Sequence, residues 1–133
     1  MALLKSNPHE KSIKEGSEEA KQVVCTALFR ISKLWGMNDA KFAKLLHVDK
    51  STISLWRKKG TVPDSGPQVE IIKTVLAIHR SLGGMFRATE DQIAWLTTPH
   101  PSFEEAPLAV AIRSIEGLFQ VRRYVDYVRG LGA

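Results

Sequence analysis

The chain has 133 residues, 44% of them hydrophobic and 25% charged, with a formal net charge of +5 and a single cysteine. That length suits one compact domain or two small modules sharing a core. One cysteine excludes an internal disulfide framework, and no apolar run approaches the roughly 20 residues that a membrane-spanning helix needs.

The charge is unevenly placed. Residues 1–60 carry 12 Lys and Arg against 6 Asp and Glu, whereas residues 61–133 carry 7 against 8. The half that attracts phosphate is therefore the N-terminal one, and the other half is better suited to meeting protein. The start, MALLKSNPHEKS, lacks the apolar stretch of a signal peptide, so a cytoplasmic protein is expected.

Residues 1–17 are polar and contain Pro8 and Gly16, which predicts a disordered tail. A plain tail and a lysine-bearing arm reaching toward a nucleic-acid backbone both remain open. From Ser17 or Glu18 to Trp35, the positions Val24, Leu28, Ile31 and Trp35 describe a long amphipathic helix that stops at Gly36. Cys25 falls within this pattern, which predicts a buried thiol.

The next stretch, DAKFAKLLHVDKSTISLWRKKG (39–60), reads as two short helices around a tight turn. Phe42, Leu45 and Leu46 form the apolar stripe of the first, with Ala43 small enough for a close crossing. Asn38 or Asp39 can cap its start, and Val48 plugs into the core. Asp49 can cap the second, which runs to Lys59 and stops at Gly60. On the second helix Ile53 and Trp56 face inward, while Ser51, Ser54, Leu55 and Lys58 face away. Lys50 and Arg57 flank one edge of that outward face, and Thr52 and Lys59 flank the other. Hydroxyls can bond base edges or phosphates, Lys and Arg can reach guanine or phosphate, and Leu55 can touch a thymine methyl. Lys50, Ser51, Thr52, Ser54, Leu55, Arg57 and Lys58 are thus the candidate DNA-binding residues.

TVPDSGP (61–67) is a rigid connection. Ser65 with Gln68 has capping-box spacing and opens a helix to about Leu82. Val69, Ile71, Ile72, Val75, Leu76, Ile78 and Leu82 make it apolar over much of its circumference, so it is either the centre of one bundle, part of a homodimer contact, or both. Gly83-Gly84 is read as a break. Thr89 with Gln92 repeats the capping spacing before Ile93, Trp95 and Leu96, and that helix halts at TTPHP (97–101). Phe103 anchors the loop, Pro107-Leu108 starts a short helix to Arg113, and Ser114 caps a last helix with the stripe Leu118, Val121, Val125 and Val128.

The fold class is all-α, with an N-terminal helix-turn-helix bundle over 18–82 and a small helical unit over 83–133. His9, His47, His79 and His100 share no ligand spacing with Cys25 or a carboxylate pair, and there is no phosphate-cradling glycine loop. No catalytic residue, metal or cofactor is expected, and His79 reads as a core or boundary histidine.

Phe42-Ala43, Val48-Asp49-Lys50-Ser51-Thr52-Ile53-Ser54 and Trp56 resemble the helix-turn-helix of Xre-type, phage-repressor-like regulators. The chain departs from that pattern at the turn, where His47 stands in place of the usual Gly. Trp95-Leu96-Thr97-Thr98-Pro99, Phe103, Pro107-Leu108 and Ser114-Ile115-Glu116-Gly117 resemble the toxin-binding domain of the MbcA/ParS/Xre antitoxins over roughly residues 85–131. Here the departures are His100 and Glu104-Glu105-Ala106, in place of a loop Asn and a Gly after the Phe.

The resemblance implies a type II antitoxin. Its partner would be a RES-domain toxin that degrades NAD, neutralised by the C-terminal helix and tail covering the active-site cleft. A homodimer would also bind operator double-stranded DNA and repress its own operon. Phe119, Arg122, Arg123, Tyr124, Tyr127, Arg129, Gly130 and Leu131 are the candidate toxin contacts, with Arg129 to Ala133 read as a small flexible end. The alternative is a stand-alone phage-repressor-like regulator whose C-terminal half only dimerises or senses.

Overall fold

The structure, a computed structural model, describes residues 17–132. Residues 1–16 of the tail expected over 1–17, and Ala133, lie outside that range, and Ser17 is the N-cap of the first helix. Seven helices and no β-strand make up the described chain: α1 Glu18–Leu34, α2 Asp39–Leu46, α3 Lys50–Lys59, α4 Pro67–Met85, α5 Thr89–Thr97, α6 Pro107–Arg113 and α7 Ile115–Gly132. The fold is all-α. None of the described helices is long and apolar enough to cross a membrane.

Three helix starts are held by side-chain caps, of which Asn38 and Ser114 were read from the sequence. Ser17 Oγ accepts from Ala20 N–H at 3.0 Å, Asn38 Oδ1 from Lys41 N–H at 2.8 Å, and Ser114 Oγ from Gly117 N–H at 2.9 Å. Each satisfies an otherwise orphaned donor of a first turn. Asp49 occupies the N-cap position of α3, but its side chain makes no capping bond.

Four expectations are corrected. Ser65 does not open α4; Gly66 holds the cap position at φ 89°, and Pro67 begins the helix. Proline has no N–H to satisfy and its φ is already helical, so no side-chain cap is needed. Thr89 does not cap α5 either. Ala88 holds that position, and Gln92 is buried, accepting from Trp35 Nε1–H at 3.2 Å. Gly83-Gly84 is not a break, because α4 runs on to Met85. A Cβ at Gly84 would lie 3.3 Å from Arg129 Nε, so this glycine lets the α7 side chain pass close to α4. Finally, the C-terminal residues through Gly132 continue α7 rather than forming a flexible end.

α4 is the centre of the molecule. It packs extensively on α7 and also meets α1, α2 and α5. Ile71, Ile72, Val75, Ile78 and Leu82 are buried on it, which explains why its apolar residues spread around the circumference. Thr74, also buried, donates its hydroxyl to Glu70 O at 2.7 Å, and buried Ser81 donates to Asp126 Oδ1 on α7 at 2.7 Å. α6 and α7 approach so closely that a Cβ at Gly117 would fall 2.1 Å from Val110 O. Leu118, Val121 and Val125 of α7 are fully buried, and one continuous core joins them to Leu28, Phe42, Leu46 and Ile53.

Candidate functional site

Two surfaces carry the candidate residues. The first is α3. Ile53 and Trp56 are buried, and Cys25 Sγ–H points at Trp56 O from 3.8 Å. Burial pushes the Cys25 thiol up, against a smaller opposing effect of the Arg57 charge, so this sulfur is an inert packing group. With that face anchored to α1, the outward face has one orientation. Lys50, Ser51, Ser54, Leu55 and Lys58 are exposed there, and Thr52 is half-buried at the edge. Leu55 is 51% exposed on that face.

Arg57 differs from its neighbours. Its Nη2 lies 2.5 Å from Asp39 Oδ1, and its guanidinium carbon sits 4.4 Å from the centroid of the Phe29 ring. It therefore ties α3 to the start of α2 and to α1, and so braces α3 within the bundle. Sequence reasoning missed this assembly because Phe29, Asp39 and Arg57 come from three helices and share no spacing signal.

The turn between α2 and α3 rests on His47. It caps α2 in the left-handed region, φ 57° and ψ 42°, the conformation for which glycine is usual. Its backbone N–H bonds back into α2, while Nε2 lies 2.8 Å from Ala111 O. A carbonyl can only accept, so Nε2 carries the proton and donates. Ala111 lies in the last turn of α6, where carbonyls lack intrahelical partners. The departure from glycine thus links the turn to the C-terminal helices.

The second surface is α7. Its buried stripe leaves a column of Phe119, Arg123, Tyr127 and Leu131, each four residues on, along the opposite side. Tyr127 is 63% and Leu131 69% exposed, Arg123 and Gly130 are also exposed, and Phe119 is half-buried. The flanking residues are engaged within the chain. Arg122 Nε lies 3.4 Å from Asp126 Oδ2, and Arg129 lies against Gly84. Tyr124 stacks on Trp95, packs edge-on to His100 and Phe103, and its hydroxyl lies 3.3 Å from His100 Nε2.

His100 Nδ1 accepts from Ser102 N–H at 3.0 Å, so the imidazole ties its own loop to α7. That loop closes with His100 N–H on Glu105 O, with Glu104 at φ 64°. Arg113 hydrogen-bonds Glu105 and holds its carboxyl below the usual carboxylate range. His100 and the Glu104-Glu105 pair are therefore the pieces from which this loop is built.

Comparison with protein families matches residues 16–63 to the antitoxin Xre-like helix-turn-helix domain and residues 81–130 to the antitoxin Xre/MbcA/ParS C-terminal toxin-binding domain. The chain belongs to the Xre/MbcA/ParS antitoxin family. A search of curated proteins finds no match. The Xre/MbcA/ParS antitoxin carries its DNA-binding motif on α2 and α3, and its toxin-binding segment takes in the end of α4 and all of α5 and α6, with α7 as far as Gly130. Among the described residues of this antitoxin, no three His, Cys, Asp or Glu come together in a way that would hold a metal ion.

Proposed function

We propose that this antitoxin acts in the cytoplasm, as a binding protein with no catalysis of its own, to neutralise a RES-domain, NAD-degrading toxin, and that as a dimer it represses its own operon. Residues 83–133 would serve the toxin and residues 18–82 the DNA. The observation that carries the toxin reading is the α7 column. A helix that buries Leu118, Val121 and Val125 behind it still presents Tyr127 and Leu131 to solvent, with Arg123 between aromatic neighbours. Aromatic residues and arginine on one exposed face are the composition of protein-binding hot spots. Arg123 would meet an acidic rim, while Tyr127 and Leu131 would fill the cleft and exclude the dinucleotide.

On α3, Ser51 and Ser54 would face base edges, Lys50 and Lys58 would meet phosphates, Leu55 would lie at a thymine methyl, and Thr52 and Arg57 would border the contact.

Co-expression with the protein encoded by the adjacent gene, followed by capture through a tag on the antitoxin, tests the reading. The expected result is a stable complex whose partner arrests growth when expressed alone and consumes NAD. A chain recovered alone beside a harmless neighbour would instead favour a stand-alone DNA-binding regulator.

A further inference from the structure

α3 and α7 leave one apolar face without a role. Six large apolar side chains are exposed among the described residues: Leu55 on α3, Ile115, Tyr127 and Leu131 on α7, and Val23 and Leu34 on α1. The two on α1 lie on one side of the helix with Thr26 and Ala27. Together with Leu76 and His79 of α4, they line an open groove of about 760 Å³. Burial, helped by the Arg30 charge, holds the His79 imidazole below its ordinary value, so it belongs to the apolar wall near pH 7. Glu19 and Arg30 stand on the same face, three helical turns apart. Both are exposed, and neither forms an ion pair among the described residues.

We propose that this face joins two copies of the chain through antiparallel packing of their α1 helices. The pattern is self-complementary in that direction. When Glu19 faces the partner's Arg30, Gln22 faces the partner's Ala27 and Val23 faces the partner's Thr26. A two-fold axis repeats each pairing, which gives two ion pairs around a small apolar centre. Parallel packing would set Glu19 against its own copy, and Arg30 likewise, so charge selects the antiparallel arrangement. The small side chains of Thr26 and Ala27 let the two helices approach closely.

Beside and behind this face, α1 holds α3 through Phe29 beneath Arg57 and through the Cys25–Trp56 contact. Pairing through α1 therefore fixes the separation of two reading helices, which recognition of a two-fold operator requires. This assignment rests on the reading of the antitoxin as a dimeric DNA-binding protein and supplies the contact which that reading lacks.

Sedimentation equilibrium on the full chain tests it. The wild-type chain is expected to dimerise. Glu19→Arg and Arg30→Glu should each weaken the dimer roughly ten-fold, the scale of a lost interface anchor. The double variant Glu19→Arg/Arg30→Glu should restore it, because the ion pair is rebuilt with its charges exchanged. Val23→Asp, at an exposed position, should give a folded monomer. A monomeric wild-type chain would overturn the proposal. So would a dimer insensitive to Val23→Asp, which would put the contact on another surface and leave the groove to residues 1–16 or to solvent. Toxin capture, measured on the same variants, keeps the two readings apart, since Val23→Asp leaves α7 untouched. Failed capture by the wild-type chain counts against the toxin reading, and unchanged sedimentation of the variants counts against this one.

Discussion

His47 holds a backbone conformation that costs an ordinary side chain about 1–2 kcal/mol, and its imidazole recovers part of that through the bond to Ala111 O. Replacing it separates the two effects. His47→Gly relieves the backbone and loses a hydrogen bond with a net value of about 1 kcal/mol, so stability should change little. His47→Ala loses the bond and keeps the strain, so it should be about 1 kcal/mol less stable than wild type. Urea unfolding of the three chains measures the order, and a glycine variant as unstable as the alanine variant would contradict it. The sequence made His47 conspicuous as a departure from the usual Gly of this turn. The Ala111 contact was not legible, because it joins residues 64 positions apart with no shared pattern.

Among the elements, helices whose ends are decided by local chemistry were read closely. α1 and α2 begin where their end residues place them, since Ser17 and Asn38 act on donors three residues away, and α3 and α6 lie where periodicity, Gly60 and Pro107 place them. Where tertiary packing intervenes, local signals misled. Gly83 and Gly84 each disfavour helix by about 1 kcal/mol relative to Ala, yet the close passage of Arg129 makes a small residue at 84 useful. Thr89-x-x-Gln92 had the spacing of a capping box, but Gln92 was claimed by the indole of Trp35.

Prediction at this scale concerns the two functional helices. Lys58→Ala on α3 should weaken binding to the duplex upstream of the gene evenly across sequences and reduce the slope of log affinity against log salt by about 1. Adding Ser54→Ala should cost about a further 1 kcal/mol, concentrated at particular base positions. Toxin capture should stay intact in both. Truncation after Tyr127 removes Leu131 and spares the buried Leu118, Val121 and Val125, so it should reverse the pattern. Equal damage to both activities by either change would count against separate faces.

At the scale of the whole molecule, the two proposed faces stand on one core. α7 is covered by α4 and α6, α4 is packed on α1 and α2, and the His47–Ala111 and Trp35–Gln92 bonds join the halves. Unfolding should therefore be a single event, because exposing either half strips apolar cover from α4. Trp56 sits in the DNA-binding half and Trp95 in the aromatic cluster under α7, which makes them natural reporters. In the fluorotryptophan-labelled chain, the fluorine resonances of the two residues should change at one urea midpoint, together with the helical circular dichroism. A chain ending at residue 82 should lose that cooperativity. Without α7 it leaves Val75, Ile78 and Leu82 open on one side, and each fully exposed side chain of this size forfeits about 1.5–3 kcal/mol. Those losses rival the total stability of a small domain. Two separate midpoints, with a shortened chain as stable as its half of the whole, would instead mean that DNA and toxin engage independent units. Under the single transition expected here, toxin binding at the proposed α7 face would stabilise the same folded core that holds α3, so occupancy at one face would strengthen the population competent at the other.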